Sequence, residues 1–215
     1  MIANMGNVFY FNWEFDLLYW FQSIHNPILD KIVVVITSLG NAGIFWILLT
    51  LVMLIVCKDK KVAWTSALAL LFSLLVINIF LKNTVMRARP CWIDDTIPLL
   101  VKNPKDYSFP SGHSSASFAS AVSIVQYAKY RKQGIAAVVL AALIAVSRMY
   151  VFVHFPTDVF VGTILGIIEA ILAGIIIRFI YRKLEERKTL WAKNFFFTNR
   201  KKCTLTLSVI FVILK

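Results

Sequence analysis

Five stretches of the chain stay apolar for about the length of a membrane-spanning helix. Residues 41–57 and 62–81 carry no charge, and residues 111–128 are uncharged but rich in serine. Residues 133–153 hold a single charge, Arg148, and residues 157–181 hold the acidic Asp158 and Glu169 among apolar neighbours. A spanning helix needs ~20 mainly apolar residues at 1.5 Å rise each. These runs do not alternate as barrel strands do, so they predict helices. The expected fold is an all-α integral membrane bundle of five transmembrane helices over residues 41–181.

Residues 1–40 read differently. Glu14 and Asp16 sit among Phe9, Tyr10, Phe11, Trp13, Phe15 and Tyr19, a mixture that suits helices lying in the outer interface. Residues 28–39 are short for a span before Gly40 and Gly43 break the run. Two interfacial or re-entrant helices are the preferred reading, with a sixth span as the alternative. Residues 182–215 form a basic tail, apolar again over 203–214 but shorter than a span, which reads as a membrane-surface or poorly ordered appendage.

Charge orients the bundle. The chain has 215 residues, 59% of them hydrophobic and 16% charged, with a formal net charge of +12. A soluble domain carries about 25% charged residues, so the composition excludes an ordinary cytosolic globule and a disordered chain. It also excludes a nucleic-acid-binding domain, which would display its positive charge on a polar surface. Lys58, Lys60 and Lys61 follow the first run; Lys129, Arg131 and Lys132 follow the third; Arg182, Lys183 and the remaining tail cations follow the fifth, with Arg178 near its end. That side is cytoplasmic by the positive-inside rule. The 82–110 loop and the 154–156 turn then face outward. No Lys or Arg precedes Lys31, which argues against a cleaved signal peptide. Cys57, Cys91 and Cys203 are too scattered for a disulfide framework or a zinc site.

Three short pieces meet on the outer side by topology alone: Lys82 to Arg89-Pro90, Pro110-Ser111-Gly112-His113, and Ser147-Arg148 with His154 and Asp158 beyond it. Each has a plain structural reading. Lys82 alone is a snorkelling cap. Arg87 and Arg89 are loop charges. Ser111 is a helix N-cap. His113 is a satisfied interfacial histidine, and Arg148 and Asp158 make an ion pair. Together, ionisable groups at membrane depth are functional candidates, and the chemistry they suit is phosphoryl transfer. Lys82, Arg89 and Arg148 match the three equatorial oxygens of a transferring phosphoryl group. The Ser111 hydroxyl and Gly112 amide lie at a helix N-terminus, which favours an anion. Asp158, four residues after His154, shares one face of a helical turn with it and can orient it as a nucleophile. His113 is left to protonate the leaving oxygen. With three cations in the role of Mg²⁺, no metal and no cofactor are expected. His25 reads as structural.

These pieces resemble, position for position, the tripartite signature of the type 2 phosphatidic acid phosphatase superfamily: K-x6-RP, PSGH and SR-x5-H-x3-D over residues 82–158. The resemblance implies a metal-independent membrane lipid phosphatase working through a phosphohistidine on His154. It implies His113 as acid, Asp158 as the orienting group, and Lys82, Arg89, Ser111, Gly112 and Arg148 as phosphate ligands. The substrate class it suggests is a lipid phosphate: undecaprenyl pyrophosphate first, then phosphatidylglycerol phosphate or phosphatidic acid. The partners expected are that lipid and the membrane, with no nucleic acid. The location expected is the cell membrane, with the site facing the extracytoplasmic side. Vanadium haloperoxidases share a similar signature but are typically soluble. A non-catalytic lipid-anion binder or transporter leaves the placement of both outer histidines unexplained.

Overall fold

The computed structural model describes the backbone of residues 6–213 and the side chains of residues 6–190. The readings of the tail that rest on the side chains of 203–214 lie outside the described residues. Among those described, regular structure is helical, with one isolated backbone bridge between Asn7 and Arg87. The helices are α1 (Asn12–Ser23), α2 (Pro27–Leu39), α3 (Ile44–Val56), α4 (Lys61–Val85), a single turn α5 (Pro90–Ile93), α6 (Gly112–Val125), α7 (Arg131–Tyr150) and α8 (Pro156–Ile213). Two compact units divide the chain: residues 1–175, which hold the bundle and the site, and residues 176–215, where Lys183 and Glu186 pair 3.0 Å apart.

Local chemistry sets the helix starts. Asn26 accepts the Leu29 N–H at 3.0 Å ahead of Pro27, the first residue of α2. Ser111 likewise accepts the Ser114 N–H at 3.3 Å and opens α6. Pro156 is the first residue of α8, and the Asp158 carboxylate of its first turn takes the Phe155 N–H at 2.9 Å. Within α4 a nine-residue π-helical segment, Ser73–Leu81, ends directly before Lys82. Such wide turns concentrate at functional sites.

Three helices are long and apolar enough to cross a membrane: Lys61–Val85, Ala128–Tyr150 and Pro156–Leu190. Pro27–Leu39 and Asn41–Val56 pass together as one element bent by 45°. The described residues thus carry three such helices, or four with the bent pair, against the five expected from hydropathy. The difference lies in residues 111–128 and 41–57. Helix α6 has 14 residues, about 21 Å at 1.5 Å each. It is also enclosed by protein: Ser114, Ser115, Ser117, Ser120 and Ser123 are all buried. Helix α3 is short too and continues α2 across the Gly40–Gly43 break, where Ala42 and Gly43 take positive φ of 49° and 66°.

Helix α6 is the core of the bundle. Trp46 of α3 donates to the Ser117 hydroxyl at 2.9 Å, Ser66 of α4 pairs with Ser120 at 2.9 Å, and Ser73 with Ser115 at 2.7 Å. On the α8 side a Cβ at Gly162 would lie 2.5 Å from the Ser111 carbonyl, and Gly166 faces Ser115 as closely. Small residues that let backbones approach, with hydroxyls bonding across, are how helices associate in lipid. Leu48, Leu51, Val52 and Ile55 of α3, Leu74, Leu75 and Ile79 of α4, Val139 and Leu143 of α7, and Ile164 and Ile168 of α8 are exposed. This apolar girdle suits a bilayer rather than water.

Candidate active site

The ends of α4, α6, α7 and α8 that meet at one face of the bundle carry the charged groups. Lys82, Arg87, Arg89, Arg148, His154 and Asp158 are all buried there. His154 lies in the turn between α7 and α8, one residue before Phe155 and outside the helix. The expectation that it shares a helical face with Asp158 is therefore corrected: Asp158 reaches back from the first turn of α8. Its Oδ2 stands 3.5 Å from His154 Nδ1, beside the Ser108 hydroxyl, which is 3.4 Å from the same nitrogen and donates to Asp158.

The other ring nitrogen fixes the tautomer. Arg89 Nη1 lies 3.1 Å from His154 Nε2. A guanidinium only donates, so Nε2 presents its lone pair and the ring proton sits on Nδ1, toward the carboxylate. Burial first, then the Arg89, Arg148 and Lys82 charges, hold His154 well below the ordinary histidine range. The Nε2 lone pair is thus held against Arg89 at the edge of a cluster of cations.

Arg89 is anchored from every side. Its Nε donates to the Asp106 carbonyl at 2.7 Å, Nη1 also to the Val153 carbonyl at 2.7 Å, and Nη2 to Asp106 Oδ1 at 2.9 Å and the Tyr107 carbonyl at 3.3 Å. Lys82 pairs with the other oxygen of Asp106. Arg148 donates to Thr37 at 2.5 Å, while its buried Nε has no partner. The ion pair with Asp158 that the plain structural reading gave it is not formed; Arg87 makes that contact instead, at 2.6 Å. An unpaired buried guanidinium N–H is costly and is a donor for an incoming anion. The Ser111 amide donates to the Asp158 carbonyl at 3.0 Å, and its Oγ accepts from the Ser114 hydroxyl at 3.0 Å. Gly112 has Asn78 Oδ1 2.7 Å from where a Cβ would stand, so any side chain here would have to push Asn78 aside. His113 bonds Asn41 Oδ1 at 3.1 Å and lies within electrostatic reach of Arg148, His154, Lys82 and Arg89.

Sequence reasoning missed the layer behind Asp158. Arg87 is no plain loop charge: its Nη1 bonds Asp158, its Nη2 bonds Glu14 at 2.7 Å, and its Nε bonds the Phe9 carbonyl at 3.0 Å. Glu14 in turn takes the Thr157 hydroxyl at 2.6 Å and amide at 3.2 Å. Glu14 and Arg87 are each almost wholly buried, at 0% and 1% exposure. The signal available was an acid stranded in an aromatic run, which demands a cation partner. Asp106, which lies in none of the three motif pieces, bridges two of the three expected phosphate ligands, Lys82 and Arg89.

Two cavities meet at Lys82 and Asp106. One, about 680 Å³, runs from Lys82, Gly112 and His113 along Ser73, Leu70 and Leu74 of α4 to Ile47, Leu51 and Leu54 of α3. The other, about 750 Å³, is bounded by Asn83, Trp92, Asn103, Lys105 and Tyr107. The first joins a polar mouth to an apolar groove.

Compared with known proteins, residues 62–185 match the PAP2 superfamily. The undecaprenyl-diphosphatase of Sulfolobus acidocaldarius is 30% identical over 64% of this chain and 66% of its own. The undecaprenyl-diphosphatase BcrC of Bacillus subtilis is 31% identical over 70% of this chain and 76% of its own. The chain thus spans about two thirds to three quarters of these curated relatives. Among solved structures, LpxE of Aquifex aeolicus superposes with a TM-score of 0.64 at 27% identity, covering 76% of this chain and 95% of that one.

Proposed function

We propose, from the premise that this chain belongs to the PAP2 superfamily, that it removes the terminal phosphate of undecaprenyl pyrophosphate through a phosphohistidine on His154. The chain is a hydrolase acting on phosphate esters of lipids, as members of the family are. The lipid itself and the individual residue roles are this reading's own. It is carried by one observation: the His154 Nε2 lone pair points into a group of buried cations with a carboxylate behind its Nδ1, and one of those cations, Lys82, also lines an apolar groove between α3 and α4.

The reaction divides into two displacements. The terminal phosphoryl group lies against Arg148, Arg89, Lys82 and the Ser111–Gly112 helix start, which together neutralise its three equatorial oxygens. Nε2 of His154 attacks phosphorus, and the bond from phosphorus to the bridging oxygen breaks. Protonated His113, lining the groove where the prenyl tail lies, gives its proton to that oxygen. Asp158 balances the cationic ring as the N–P bond forms, closing the 3.5 Å gap to Nδ1. Water then attacks the phosphohistidine with His113 taking its proton. Inorganic phosphate leaves and Nε2 regains its lone pair. The three cations supply the charge stabilisation that a metal otherwise would.

The span expectation fits this reading. On this reading α3 and α6 are short crossings beside the three long helices, and His154 faces the extracytoplasmic side by the positive-inside rule. The deciding experiment is phosphate release by purified protein in detergent with EDTA present, from undecaprenyl pyrophosphate, phosphatidylglycerol phosphate and phosphatidic acid. The expected result is preference for the first and none from H154A. Preference for either glycerolipid moves the substrate. Release by H154A removes the mechanism. Bromide oxidation with vanadate in place of phosphate release would move the chain to peroxidase chemistry.

A further inference from the structure

Asp106 holds the place that a phosphate would take. Its Oδ1 binds Arg89 Nη2 at 2.9 Å, its Oδ2 pairs with Lys82, and its carbonyl takes Arg89 Nε at 2.7 Å. With Val153, Tyr107 and His154 also bound, all five N–H groups of Arg89 are spoken for. Yet the Asp106 side chain is 55% exposed, against 2% for Arg89. It lines both cavities. Burial works against its ionisation, but the Arg89 and Lys82 charges outweigh this and hold the carboxyl below the usual range.

Charge makes this arrangement selective. Around His154 stand four cations, Lys82, Arg87, Arg89 and Arg148, and three carboxylates, Glu14, Asp106 and Asp158. With Asp106 in, one positive charge is left over. With Asp106 out, two are, which matches a phosphate dianion. A singly charged phosphodiester offers no more charge than the tethered carboxylate it must displace. The tether gives that carboxylate a high effective concentration.

We propose that Asp106 is a built-in competing anion that sets the charge threshold of the site, barring phosphodiester headgroups while yielding to doubly charged terminal phosphates. The value of such a device is plain at a bilayer surface, where phosphodiester lipids crowd any exposed cationic pocket and a site without it would be filled by them. The inference rests on the phosphatase reading above and specifies how that site chooses among lipids.

The test uses full-length protein in detergent micelles, as wild type, D106N and D106A; the backbone carbonyl that holds Arg89 Nε is kept in both variants. Phosphatidylglycerol, doped into the micelles, serves as the singly charged probe of inhibition. Inorganic phosphate is titrated by calorimetry, which needs no turnover. The expected result is at least a tenfold fall in the inhibition constant of phosphatidylglycerol in both variants, with tighter phosphate binding. Unchanged or weaker inhibition by phosphatidylglycerol overturns the proposal, as does phosphate binding no tighter than in wild type. If wild type hydrolyses no lipid phosphate, the functional reading fails by itself, and the calorimetric comparison still decides the role of Asp106.

Discussion

Helix α6 is held by different forces at its start and along its length. At Ser111–His113 it meets a buried ionic network in which Arg87 joins Asp158 to Glu14 at 2.6 and 2.7 Å and Arg89 joins His154 to Asp106. From Ser115 to Ser123 it packs through hydroxyl pairs, close glycines and apolar side chains such as Trp46 and Ile144, and the Glu169 carboxylate accepts from Ser115 at 2.8 Å. The second arrangement suffices to assemble a bundle in lipid. The first does not pay for itself as structure, because desolvating paired charges costs about as much as their attraction returns. Its concentration at one end marks where the fold is committed to chemistry.

Breaking the ionic end has the largest effect. H154A removes the proposed nucleophile and is expected to abolish phosphate release while the melting temperature stays near wild type; substantial turnover in a single-turnover assay would show that another group attacks. D158N follows, with a loss in kcat of about 10⁴-fold and little change in KM, by analogy with a catalytic triad that loses its carboxylate. A near-normal rate would make the pair structural.

One layer further out, R87M strands two buried carboxylates. It is expected to cost roughly 3–5 kcal/mol of stability, as breaking a buried pair does, and about 10²-fold in kcat. Chemical denaturation alongside kinetics separates the two. Loss of stability with full activity in the folded fraction would remove Arg87 from the positioning of Asp158.

The pH profile sharpens the same contrast without mutation. Burial and then the neighbouring cations depress the His154 pKa, so the nucleophile stays unprotonated as pH falls through the ordinary histidine value of about 6.5. The acid limb of kcat/KM belongs below that value. A limb at or above 6.5 would mean that the cations do not bear on the ring. At the other end of the scale, S117A removes the hydroxyl that Trp46 bonds at 2.9 Å. It should cost about 1 kcal/mol and leave turnover intact, since α6 at that point has no part in the site.

Legibility divided along the same line. The apolar runs at 62–81, 133–153 and 157–181 became long helices because hydrophobic length is a local property that the chain displays openly. The run at 111–128 shows how that signal misleads. A helix wrapped by other helices has no need of lipid-soluble side chains, so its serines and its 14 residues are explained only by neighbours far away in sequence. The motif residues were readable because their spacing is itself the signal. Glu14 was not, because the Arg87 that justifies it lies 73 positions away.

The chain alone determined the helical class, the preference for a membrane, the end of the bundle where charge collects and the eleven motif positions that converge there. Tertiary structure decided which charges pair: Arg87 rather than Arg148 with Asp158, and Asp106 across Lys82 and Arg89. It decided too that His154 stands before its helix and not on it. The reason is physical. Hydrophobic length and motif spacing are counted along the backbone, whereas the partner of a buried charge is chosen by distances of about 3 Å in space, which no spacing along a sequence encodes.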